Sequence, residues 1–146
     1  MHRTLLACLL LSAGANPVWA QAGPAPPSRV TAEDGINGLK ADDPAKRRKA
    51  AVALGALGPR AKAAVPALAA ALKDTDVSVR GAAALALGTM GSEARAAVPA
   101  LAEVLKDDKD GVRHAALVAL SAVGPEAKGA VPAVAEALRD LSLIHI

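Results

Sequence analysis

The side chains that could act as ligands, bases or nucleophiles are few, and their spacing keeps them apart. The chain has three histidines and one cysteine. His2 and Cys8 fall at the extreme N-terminus, which leaves His114 and His145 for the body of the chain. A zinc site needs three or four converging His, Cys or carboxylate ligands, and no such set can be assembled. His114 reads as an exposed surface histidine. Ser78, Ser92 and Ser121 have no base that regular spacing would set beside them, and a serine without one is a weak nucleophile. Gly55/Gly58 and Gly88/Gly91 form G-x-x-G pairs. They follow helical patterns rather than strands and lack the Lys-Ser/Thr of a phosphate loop, so they read as helix punctuation. Adjacent carboxylates such as Asp107-Asp108 lie where turns are expected and read as solvated. The expectation is a chain with no catalytic activity, no cofactor and no metal.

What recurs instead is register. Pro66, Pro99 and Pro132 are separated by steps of 33 residues, as are Gly58, Gly91 and Gly124, and Arg47, Arg80 and Arg113. Two cationic columns share the step: Lys62, Arg95 and Lys128, then Lys73, Lys106 and Arg139. A fixed period in this range is the mark of stacked repeats. Composition agrees with that architecture. Trp19 is the only aromatic residue, so no large ring can anchor a compact core. Alanine faces allow close approach but remove little area from water, at roughly 25 cal/mol per Å². Stability must then be summed over many similar small interfaces, and three such thin units are expected to melt early and with weak cooperativity.

The elements follow from the period. Residues 40–72, 73–105 and 106–138 are three units, each of two helices. The first helices are expected at Pro44–Leu57, Val77–Met90 and Asp110–Val123. In the second, Val79, Ala83, Ala86, Leu87 and Met90 form one apolar stripe at helical spacing. Gly58, Gly91 and Gly124 stand where a left-handed residue ends a helix without a Cβ penalty, and Ser92 is suited to cap the second helix of its unit. The Val-Pro pairs should push each valine away from α geometry. A turn such as Arg60–Ala64 is expected, then a helix opening at Pro66 and running to Lys73; a kinked continuous helix is the alternative. Residues 31–39 read as a worn cap, with Thr31 as N-cap and Asp34 as its capping-box partner. Lys46 occupies the Val79 column within a Lys46-Arg47-Arg48-Lys49 run, so the first long helix should be more exposed at its start.

These columns carry a resemblance. Val79-Arg80, Ala83-Ala84, Ala86-Leu87-Gly88, Met90-Gly91, Val98-Pro99-Ala100-Leu101 and the unit-closing Leu72-Lys73-Asp74 and Leu105-Lys106-Asp107 resemble the HEAT repeat, in the bacterial form named after phycobilisome lyases. The likeness runs from about Lys40 to Asp140. It implies an all-α solenoid of stacked helical hairpins whose second helices line a concave face. On that face Lys62, Arg95 and Lys128 with Lys73, Lys106 and Arg139 would form two cationic rails. Glu93, Glu103, Glu126 and Glu136 lie close by, and the competing reading is a mixed-sign, solvated surface. The resemblance also implies structural pairing of Asp74 with Arg80 and of Asp107 with Arg113, and it implies a protein partner.

The termini bound the setting. Arg3, the apolar stretch Leu5–Ala13 and Val18-Trp19-Ala20 form the three regions of an export signal over residues 1–20. The apolar stretch is shorter than the roughly 20 residues of a spanning helix. Cleavage after Ala20 is expected; an uncleaved anchor, or lipidation at Cys8 behind Leu5-Leu6-Ala7, are the alternatives. Periplasmic or secreted location follows from the signal alone. Residues 21–30 read as a Pro/Ala-rich linker. Without Arg3 the balance is 16 basic to 14 acidic residues, too even to argue for nucleic acid or an anionic membrane, and no aromatic is left to stack a base. Residues 141–146 break the period. Either they are a foreign stretch where the natural chain continues, or they are a C-terminal cap. The function expected is an exported interaction module or scaffold. The alternatives are a lyase-like, enzyme-associated role and an accessory region of a larger enzyme or membrane protein.

Overall fold

The computed structural model describes residues 30–144, with side chains to residue 140; the proposed signal, nearly all of the linker and His145 lie outside them. Among the described residues seven α-helices succeed one another: α1 (Ala32–Gly38), α2 (Pro44–Leu57), α3 (Val65–Ala71), α4 (Val77–Met90), α5 (Val98–Val104), α6 (Asp110–Val123) and α7 (Val131–Ile144). The segments Gly58–Ala64, Gly91–Ala97 and Gly124–Ala130 are 3₁₀ and join each long helix to the short one behind it. No strand occurs among the described residues.

The long helices α2, α4 and α6 have the expected bounds. Asp43 and Asp76 cap two of them, accepting from the backbone N–H of Ala45 and of Ser78 and Val79. Lys109 holds that place before α6 and makes no side-chain cap. Val79, Ala83, Ala86, Leu87 and Met90 are all buried, as the stripe requires. Lys46 is exposed in the column where Val79 and Val112 are buried. Thr31 and Asp34 form the capping box of α1.

The packing is stitched across units. α2, α4 and α6 lie side by side, and each short helix rests on the long helix of the next unit, α3 on α4 and α5 on α6. Close spacing of the long helices depends on glycine. A Cβ at Gly55 would lie 3.2 Å from Ala86 Cα, and one at Gly88 3.2 Å from Ala119 Cα. Ser121 fills this column in the third unit. Among the described residues α7 has no following long helix, so Val131 and Leu138 are exposed where Val65, Val98, Leu72 and Leu105 are buried.

Three local expectations are corrected. Gly58, Gly91 and Gly124 have φ of 55°, 58° and 71°, but ψ near −135°. This mirror image of the extended region is even more restricted to glycine than the left-handed helical well. Val65, Val98 and Val131 precede prolines yet stay in αR geometry. Pro66, Pro99 and Pro132 sit in the first turn of their helices, where the missing N–H has no partner to lose; for Val65 and Val98, burial against the next unit compensates the crowding. Ser92 makes no capping bond to the 3₁₀ segment, which enters from Met90 in αR geometry.

Candidate interaction surfaces

The charged residues that recur at the ends of units form clamps. Arg47 Nε donates to Asp74 Oδ2 at 2.7 Å and its Nη2 to Oδ1 at 2.9 Å, while Nη1 reaches the carbonyls of Ala41 and Asp42. Arg80 repeats the pattern on Asp107, at 2.7 and 3.2 Å, with Nη1 donating to the carbonyls of Asp74 and Thr75. The pairing expected inside a unit, Asp74 with Arg80, therefore runs between units. Each arginine takes the backbone of its own loop and the carboxylate of the next. The cause is reach: the guanidinium leaves the first turn of a long helix toward the neighbouring loop, and Asp74 Oδ1 is already turned to the N–H of Asp76.

Arg113 ends the series differently. It donates to the carbonyl of Asp107 and pairs with Asp110 in its own unit, not with the Asp107 carboxylate. Asp140, which holds the column of Asp74 and Asp107, lies inside α7. After Asp74 and Asp107 a turn follows, and the first of these ends at Asp76, a cap; after Asp140 comes Leu-Ser-Leu-Ile, with no such stop, and the helix runs on.

Electrostatics follow the geometry. The Arg47 guanidinium holds the Asp74 carboxyl below its ordinary value, against the opposing effect of burial. At Asp107 burial pushes upward, and the Arg80 hydrogen bonds with the Lys109 N–H outweigh it, for a net lowering. The side chains of Arg80 and Asp107 are only 13% and 11% exposed, so this pair is screened far less than one at the surface.

The two cationic columns are drawn into a ladder. Lys62 pairs with Glu93 at 2.7 Å, across the boundary between the first two units, while Lys73 pairs with Glu103 at 2.9 Å and Lys106 with Glu136 at 3.7 Å, each within one unit. Lys62, Arg95 and Lys128 stand in the 3₁₀ segments and not on the short helices; Lys73 and Lys106 follow α3 and α5, and Arg139 lies within α7. These pairs are exposed, and water and salt screen them.

A surface that sequence reasoning passed over lies on the long helices. Val52, Leu85 and Val118 are 56%, 53% and 42% exposed and share one register of the repeat. Between α2 and α4, Val52 and Leu85 border a groove of about 640 Å³ that is also lined by Gly55, Ala82, Ala86 and Arg48. Thr89 Oγ1 lies 2.7 Å from the Ala86 carbonyl and 2.9 Å from that of Gly55, tying the helices beneath it. The signal was present in the sequence, since the column is aliphatic in all three units, but only the structure tells which apolar columns face water. A second groove, about 500 Å³, opens beside α7 between Leu117, Leu120, Val131, Val134 and Leu138. In the first two units the equivalent surface is covered by the next long helix.

His114 is exposed on α6, and Ser121 Oγ donates to the Val118 carbonyl at 2.7 Å. Among the described residues no group of three His, Cys, Asp or Glu side chains could hold a metal, and no helix is long and apolar enough to cross a membrane. The family model for HEAT repeats matches residues 33–121. No curated protein matches the chain.

Proposed function

Because this chain belongs to the HEAT-repeat family, whose members generally mediate protein–protein interaction, we propose that it is an exported, non-catalytic protein-binding module. The observation that carries this reading is how its side chains are used. Among the ion pairs of the described residues, Arg47–Asp74 and Arg80–Asp107 have both side chains mostly buried, and they tie one unit to the next. Meanwhile three large aliphatic residues stand in line in water. A site for chemistry gathers polar groups in a cleft; a docking surface exposes apolar ones.

The reading has two parts and two tests. Fusing residues 1–29 to a reporter that is active only outside the cytoplasm examines export; activity lost on replacing Leu9 and Leu10 with Arg is the expected result, and a reporter silent with the intact segment would remove the exported location. Cross-linking of the tagged chain in its native envelope fraction examines binding. Cross-links from the array to a defined protein are expected, and none above a tag-only control would count against a binding module.

A further inference from the structure

We propose that the row Val52, Leu85, Val118 is the docking site for an amphipathic helix of another protein, aliphatic along one face and acidic at the end lying over α2. The proposal deepens the protein-binding reading and rests on it.

Its first support is spacing. Long helices packed side by side stand about 8–10 Å apart, and glycine at 55 and 88 keeps these toward the close end. Seven residues of an α-helix advance about 10.5 Å. A helix laid across α2, α4 and α6 thus presents a side chain to each successive long helix from one face, at i, i+7 and i+14. The groove between α2 and α4, about 640 Å³ and lined in part by the small residues Gly55, Ala82 and Ala86, has room for the first of these.

Charge supplies the second support and sets the direction. Lys46, Arg48 and Lys49 are all exposed at the α2 end of the row, and no hydrogen bond or ion pair engages them among the described residues. The acidic residues at the α6 end are already taken, Asp108 by Arg80 and Lys109 and Asp110 by Arg113. Cations free at one end and carboxylates neutralised at the other favour a partner that places its own carboxylates over α2. Lys62, Lys73 and Lys106, by contrast, are held by glutamates.

The test is selection of peptides from a displayed random 18-residue library on the full chain, followed by fluorescence anisotropy with the selected sequence made synthetically. Expected binders carry aliphatic residues at i, i+7 and i+14 with Glu or Asp near one end. Leu85→Glu and Arg48→Glu, both exposed and checked for an unchanged helical spectrum, should each weaken binding at least tenfold. A peptide with Lys in place of its acidic residues should bind Arg48→Glu better than the parent chain. Binders that ignore both variants and are lost on Lys73→Glu would overturn the proposal yet leave the protein-binding reading standing. No binders at all would count against both. Self-association of the chain that Leu85→Glu abolishes would assign the row to a second copy, and would likewise overturn the proposal.

Discussion

Arg80 grips Asp107 at two points across the boundary between the second and third units, and with its remaining nitrogen holds the loop that precedes its own helix. One side chain thereby fixes two loops 33 residues apart in register. Removing it breaks both kinds of contact at once. Arg80→Ala should destabilise the chain by about 2 kcal/mol, the scale of hydrogen bonds to charged groups, and Arg80→Lys should recover little, because an ammonium cannot make the two-point contact. Chemical denaturation followed by far-UV circular dichroism measures both; equal stability of Arg80→Lys and the parent would deny the importance of the fork.

The clamps also set a response to acid. Asp74 and Asp107 are held below their ordinary carboxyl value of 3.8 in the folded chain. A group whose pKa is lowered by folding stabilises the fold above its unfolded pKa, and that stabilisation disappears as pH falls through the folded value. Thermal midpoints should therefore stay level from neutral pH down to about 5 and drop below about 4. Asp107→Asn should start lower and show a shallower drop over the same range.

At Gly91 the backbone has φ of 58° and ψ of −133°, where a Cβ is strained whatever space surrounds it. Gly91→Ala should cost about 1–3 kcal/mol despite alanine being the better helix former. Stability equal to or above the parent in a denaturant titration would show that the 3₁₀ segment can begin with another geometry.

Gly88 and Ser121 occupy the same column with opposite expected sensitivities. Gly88→Val forces α4 and α6 apart and should cost about 1–3 kcal/mol, as overpacking does. Ser121→Ala faces no neighbouring long helix among the described residues and should raise stability slightly, by about 0.5 kcal/mol, through helix propensity. Calorimetry on both variants checks the pair, and a Gly88→Val melt matching the parent would rule out close approach at that position.

Much of the architecture could be read from the chain because the repeat displays each solution more than once. Three prolines, three glycines and a stripe from Val79 to Met90 located the long helices to the residue. What escaped was whatever depends on which unit a side chain meets. Asp74 is six residues from Arg80 and 27 from Arg47 in sequence, and only the stacking shows that the distant arginine is the one that reaches its carboxylate. The cationic columns were visible, but not that Glu93, Glu103 and Glu136 would each close on one of their lysines, Glu93 across a unit boundary and the other two within a unit. The row of Val52, Leu85 and Val118 was hidden for a related reason: helical spacing separates faces from one another without telling which of two apolar faces meets a neighbour. The αR valines before proline went unforeseen because local sterics were weighed without the burial that opposes them.

The way each short helix leans forward onto the following long helix gives the array a direction. Within the described residues α3 and α5 are each sealed by a successor, while α7 has none. In a one-dimensional array the loss of one unit uncovers the next, so amide protons of the long helices should exchange with solvent in an ordered sequence from the α7 end, α6 before α4 and α4 before α2, as a zip opens from one end. A ligand bridging α2, α4 and α6 would slow that whole sequence, including at amides it never touches.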